Sequence, residues 1–202
     1  GFHLYGAGML GDWGAHIIDF AHDFLKLGLP TTIEAIEMAD HNQIIFPLIS
    51  KLAMRFPERG DGLPACEMIW EDSNEKCAPE VSRKFWDGEK SPDLRGAGTL
   101  LHRKDGAFVV QRGSHASVSR IYPRDEMMKY KDDLKVPGPQ FNHQTSFIQA
   151  CLGNGTTNSP FSVAAPLTKV LLHGMAILCS LATCAQAAQQ TKKQSCQSYH
   201  YR

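Results

Sequence analysis

The segment "GTLLHRKDGAFVVQR", residues 98–112, restricts the fold more than any other stretch of the chain. Two short apolar runs flank "KDG". A turn this short joins strands only in antiparallel order, because a parallel pair needs a crossover of a dozen or more residues. "LISKLAMRF" (48–56) and "PACEMIWED" (64–72) are two more strand candidates, on either side of the turn-forming "PERGDGLP". "TTIEAIEMA" (31–39) alternates Ile33, Ala35 and Met38 with Thr and Glu, as a half-buried strand does. "SVSRIYP" adds a further strand edge.

Helices bracket these strands. Residues 9–27 carry Ile17, Phe20, Ala21, Phe24 and Leu25 at helical spacing, and "LGLP" closes them with Gly28 in the C-cap place. "FNHQTSFIQACLG" has Asn142 as cap, Phe147, Ile148, Cys151 and Leu152 as a buried stripe, and Gly153 as the stop. "SVAAPLTKVLLHGMAIL" repeats the logic with Ser162 as cap and Val163, Leu167, Val170, Leu171, Ile177 and Leu178 inside. The order of elements predicts an α+β fold: one largely antiparallel open sheet with helices packed on one face. Residues 73–96 read as a long polar excursion, and residues 179–202 as a polar tail without a clear period.

Charge narrows the partners. Twenty-one basic residues balance 21 acidic ones, which removes the basic footprint of nucleic-acid binding and of attachment to an anionic membrane. No apolar run in the sequence reaches the length of a membrane span. The six cysteines, Cys66, Cys77, Cys151, Cys179, Cys184 and Cys196, are scattered without a C-x-x-C pair. They read as small hydrophobes or free thiols in a reducing, cytoplasmic setting, or in an exported form whose signal lies upstream.

"GAGMLG" (6–11) matches G-x-G-x-x-G, the dinucleotide fingerprint. That loop requires a buried strand before its first glycine, whereas only Gly-Phe-His-Leu-Tyr precedes Gly6. The helix that follows carries Asp12, His16, Asp19 and Asp23 at i, i+4, i+7 and i+11, and carboxylates repel a diphosphate. Glu34, Glu37 and Asp40 cut the other way, since they fall roughly where a ribose-binding acid belongs. The glycines read as a way of bringing backbone close to something at a helix start.

These residues carry a resemblance. "GAGMLGDWGAHIIDFAHDFLKLGLPTTIEA", "GAGTLLHRKDGAFVV" and "NHQTSFIQACLGNGTTNSPFSVAAPLTKVLLHGMAIL" are similar, in that order, to the second domain of the glucose–fructose oxidoreductase/inositol dehydrogenase (Gfo/Idh/MocA) family. The shared pattern is a Gly-rich entry, then D-x-x-x-H-x-x-D on a helix, here Gly8, Gly11, Asp12, His16 and Asp19. The resemblance covers about residues 5–178 and implies that residues 1–178 are a substrate-binding and oligomerisation domain. It further implies NAD or NADP held mainly by a Rossmann domain outside these residues, a sugar or cyclitol substrate, and a homo-oligomer formed through the sheet. The family's E-K-P lysine motif is not in this sequence, and the ending after Leu178 departs from the family's pattern.

Oxidising such an alcohol needs a base for the hydroxyl proton, a task that suits histidine near neutral pH. The resemblance assigns that role to His16 and a supporting one to Asp12, one turn earlier. An Asp–His pair on a solvated helix is otherwise worth little. Asp19 either touches substrate or holds the helix to a neighbouring loop. Trp13 either walls a sugar site or belongs to the core, and Gly14 marks either close substrate approach or tight packing. His143, beside Asn142, either reaches substrate or merely opens a helix. His102 and His115 read as surface residues. Asp12, His16 and Asp19 also read as metal ligands, although no further ligand set accompanies them. Two alternatives stand beside the oxidoreductase: a non-enzymatic sheet module that forms interfaces, and a relative that uses transient oxidation for glycoside cleavage.

Overall fold

The computed structural model describes residues 2–42, 44–60, 62–72, 83, 86, 94, 96–104, 106–113, 119–133, 142–157 and 159–197, with backbone alone beyond residue 180. The elements run α1 (Gly8–Ile17), α2 (Asp19–Phe24), β1 (Thr32–Ala39), β2 (Ile49–Phe56), β3 (Cys66–Asp72), β4 (Gly98–His102), β5 (Phe108–Arg112), β6 (Ser119–Tyr122), α3 (Arg124–Lys129), α4 (His143–Cys151) and α5 (Phe161–Gln197). They belong to two compact units, Gly1–Cys77 with Leu167–Arg202, and Ala78–Pro166. The class is α+β, but the strands form two three-stranded antiparallel sheets, β1-β2-β3 and β4-β5-β6, where one sheet was expected. Hairpin-type pairing between successive strands explains this: each set closes locally, and residues 73–97 separate β3 from β4. Nearly all of the expected polar excursion, 73–96, lies outside the described residues.

In the first unit, β2 runs down the middle of its sheet and reads out the period-two rule. Leu52, Met54 and Phe56 are buried on the inner face, in register with Trp70 and Met68 of β3 and with Ala35 and Ile33 of β1. Leu10 of α1 and Leu167, Val170, Leu171 and Leu178 of α5 complete the same core. The α5 residues recur at helical spacing, so one stripe of a long helix covers one face of the sheet. A bulge between Ala35 and Glu37 of β1 moves Ile36 outward and brings Met38 back to the inner side. The outer face is charged: Arg55 lies 3.0 Å from Glu34 and 2.9 Å from Glu67, and Lys51 lies 3.3 Å from Glu71. Such exposed pairs add little stability but favour this register over its neighbours.

The glycines of α1 and α5 are packing residues. A Cβ on Gly14 would stand 2.7 Å from Leu171 Cδ2, and one on Gly174 would stand 2.6 Å from Leu10 Cδ2. Each glycine therefore makes room for a leucine of the other helix. Two further contacts fasten the end of α2. His22 is buried and donates from Nε2 to the Gly28 carbonyl at 2.8 Å, while Gly28 takes the positive φ expected of a C-cap glycine. Arg59 donates to Leu25 O at 3.2 Å, to Pro57 O at 3.1 Å and to Pro64 O, tying the "PERGDGLP" turn to the helix end. A cation at this end also complements the helix dipole.

The second unit holds the hairpin expected at "KDG". Arg103 N–H bonds to Ala107 O at 2.8 Å, and Gly106 turns the chain with φ of 87°. Phe108 is buried and its ring stacks on Tyr122 across β5 and β6. Asn142 caps α4 by accepting from Thr145 N–H at 2.7 Å, as the sequence suggests.

Several readings of the sequence need correction. The 9–27 helix is interrupted at Ile18, and Phe24 is exposed. The α4 stripe is not buried: Phe147, Ile148 and Leu152 are 61%, 54% and 65% exposed, and Cys151 is exposed too. Helical spacing shows only that these residues share a face, not that another element covers it. Ser162 lies inside α5, whose first bonds go to the Pro160 carbonyl instead. The helix also continues to Gln197, because Ala, Gln and Lys favour helix without any apolar period.

Asp72 closes β3 at the margin of the core, and burial raises its carboxyl above the ordinary value. The folded chain then holds a proton that the unfolded chain has released, so stability falls as pH rises from the ordinary carboxylate value through the raised one. Asp72→Asn should abolish that loss, giving a variant more stable than the parent above the window and equal to it below. Urea unfolding across the acid range measures both curves.

Candidate functional site

The exposed face of α1 carries the residues that the sequence singles out. Asp12, Trp13 and His16 all point to solvent from consecutive turns, and the half-buried Asp19 opens α2 directly afterwards. Ile18, the single residue between the helices, keeps helical angles. Bonds from Ile18 N–H to Gly14 O and from His22 N–H to Ile18 O, both 2.8 Å, cross the joint. The polar stripe read from the sequence therefore persists from Asp12 to Asp23. Its opposite side explains why it is held in place: Leu10, Gly14, Ile18 and Ala21 are buried. Trp13 stands on the outer side, 37% exposed, rather than in the core. Its ring centroid is 6.3 Å from that of His16, with the planes inclined 63°. Gly14 is accounted for by Leu171 and lies on the buried side, away from this face.

His143 is in a different place in the chain's architecture. It is exposed at the first position of α4, in the second unit, behind the Asn142 cap. Asp12, Trp13, His16 and Asp19 are thus brought onto one surface of the first unit, and His143 belongs to the other unit.

The glycine-rich entry does not form a dinucleotide cradle. Phe2 makes one antiparallel bridge with Ile45, and residues 3–5 form a turn, so no strand leads into Gly6. Gly8 has φ of 65°, and a Cβ there would meet the Phe46 ring at 2.7 Å. A Cβ on Gly11 would meet Met175 Sδ at 2.6 Å. The space beside Gly8 and Gly11 is filled by the chain's own side chains, and no strand hands over to the helix where a pyrophosphate would sit. NAD or NADP does not fit the residues present at this entry. Among the described residues, no three of His, Cys, Asp and Glu stand close enough together to hold a metal ion.

A groove of about 370 Å³ lies elsewhere in the first unit, between the start of β1 and α5. Pro30, Ile33 and Ile177 form its apolar floor, and His173 and Ser180 its polar rim. It includes none of the α1 residues. Cys66 and Cys151 carry no disulfide, and burial pushes the Cys179 thiol up, away from the activated thiolate range. His22 and Arg59 escaped the sequence reading. Each bonds a carbonyl from a turn distant in sequence or conformation, and no local spacing announces that. No protein-family model matches this chain, and no curated protein does.

Proposed function

We propose that this chain is the substrate domain of an NAD(P)-dependent oxidoreductase acting on a hydroxyl of a sugar or cyclitol, with the nucleotide held by a separate domain. The observation that carries this reading is the exposed α1 face, where Asp12 and His16 sit one helical turn apart beside an aromatic ring. An exposed imidazole takes a hydroxyl proton directly from a bound alcohol, and a carboxylate one turn away stabilises the imidazolium that results. Asp19, half-buried at the next turn, is suited to accept a hydrogen bond from a neighbouring hydroxyl of a polyol. The resemblance of the ordered motifs supplies the reaction class, and the chemistry of the face is consistent with it.

The test separates the two domains. Calorimetry of the 202-residue chain with NAD and with NADP should show no binding. The chain joined to a nucleotide-binding domain should reduce NAD in the presence of myo-inositol or D-glucose. Tight nicotinamide binding by the chain alone would overturn the division of labour.

A second reading, a non-enzymatic interaction module, is favoured by the outer face of the first sheet. There the central strand carries Lys51 and Arg55 between acidic columns on β1 and β3, around Ala53 and the exposed Ile69. This pattern complements itself, and in either reading we assign this face to a homodimer. Light scattering at tens of micromolar should give twice the chain mass. Arg55→Glu, which sets a third acid beside Glu34 and Glu67, should give the single-chain mass with the fold retained by circular dichroism. A parent that is monomeric under these conditions rules the sheet dimer out.

A further inference from the structure

We propose that Trp13 is a positioning residue for His16, holding its imidazole in one orientation on the exposed face of α1. The inference rests on His16 being the base. The two rings stand 6.3 Å apart at 63°, an edge-to-face arrangement in the range that aromatic pairs prefer. Side chains on a helix lean toward its N-terminus, so the His16 ring lies over the turn that bears Asp12 and Trp13. An exposed helical side chain ordinarily keeps two staggered χ1 wells, since the preceding turn excludes the third. His16 is exposed, so burial does not choose between them. The indole, which the imidazole meets edge to face, favours the well that keeps this contact.

Selection of a well matters to a base. The accepting nitrogen must lie within hydrogen-bond reach of the substrate hydroxyl, and the second well turns the ring to a different part of the helix face. An aromatic pair of this kind favours its well by about two- to tenfold. Trp13 consequently acts on turnover through His16 and touches no reacting atom. A wall for the sugar would act differently, through binding.

Two measurements test this. In NMR spectra of the 202-residue chain, the His16 ring protons, identified by their loss in His16→Ala, should be displaced by the indole ring current. They should move to the position of a solvated histidine in Trp13→Ala. Trp13→Phe should keep a smaller displacement of the same sign. In the chain joined to a nucleotide-binding domain, with NAD and myo-inositol or D-glucose, Trp13→Ala should lower kcat by up to about twofold with KM unchanged, since without the indole the two wells share the population. Trp13→Phe should recover most of that loss. His16 signals that do not move in Trp13→Ala would overturn the inference, as would a raised KM at unchanged kcat. If Trp13→Ala fails either way while His16→Ala is inactive, only the positioning role falls. If His16→Ala keeps full turnover, the base reading falls and takes this one with it.

Discussion

Replacing His16 with alanine should lower kcat by about 10²–10⁴-fold in the chain joined to a nucleotide-binding domain, the usual size of a general-base contribution. KM changes little, because the imidazole is asked to take a proton rather than to hold the sugar. Asp12→Asn gives a smaller loss of the same kind, since it keeps the shape of the side chain and removes the charge that supports the imidazolium. The double variant is no worse than His16→Ala alone by more than a small factor, because both residues serve one proton transfer. Steady-state kinetics with myo-inositol or D-glucose and NAD gives all four values. Wild-type turnover in His16→Ala would make this face of α1 scaffold. The fold itself should be indifferent to these changes, as both residues are exposed and their helix is held from its other side by Leu10, Gly14 and Ile18.

Phe56→Ala destabilises the chain by about 3–5 kcal/mol, a large part of the ~5–15 kcal/mol that holds a typical domain together. Phe56 is among the most deeply buried side chains, at the end of β2, packed in one cluster with Ile18, Leu27 and Trp70. Truncating it leaves a cavity that strand, helix and loop are too tightly paired to refill. Phe147→Ala, on the exposed stripe of α4, should change stability by no more than about 0.5 kcal/mol. The contrast is informative, because both phenylalanines occupy apolar positions in periodic segments. Urea unfolding with a shared slope measures the two differences. Equal losses at the two positions would mean that α4 is covered after all.

Much of the fold was legible because strands and helices announce themselves by period. β1, β2 and β3 fall within the runs at 31–39, 48–56 and 64–72. The hairpin at residues 103–107 follows from turn chemistry alone. The candidate face was legible for the same reason: Asp12, Trp13 and His16 share one side of a helix whatever that helix packs against. What stayed hidden depends on neighbours far away in the chain. Gly14 is glycine because of Leu171, and Gly8 because of Phe46. Arg59 matters because the β2–β3 turn returns to the end of α2.

Sequence alone thus determined the antiparallel order of the strands, the capped start of α4 and the shared face of Asp12 and His16, since each follows from turn chemistry or from residues within a turn or two of each other. Tertiary structure decided that the six strands among the described residues form two sheets, that the α4 stripe is exposed, and that Gly8 and Gly11 of the glycine-rich entry make room for Phe46 and Met175. The physical reason is the same in each case. Periodicity and turn chemistry specify which face of an element is apolar, whereas what that face meets is set by contacts between residues that are distant in the chain.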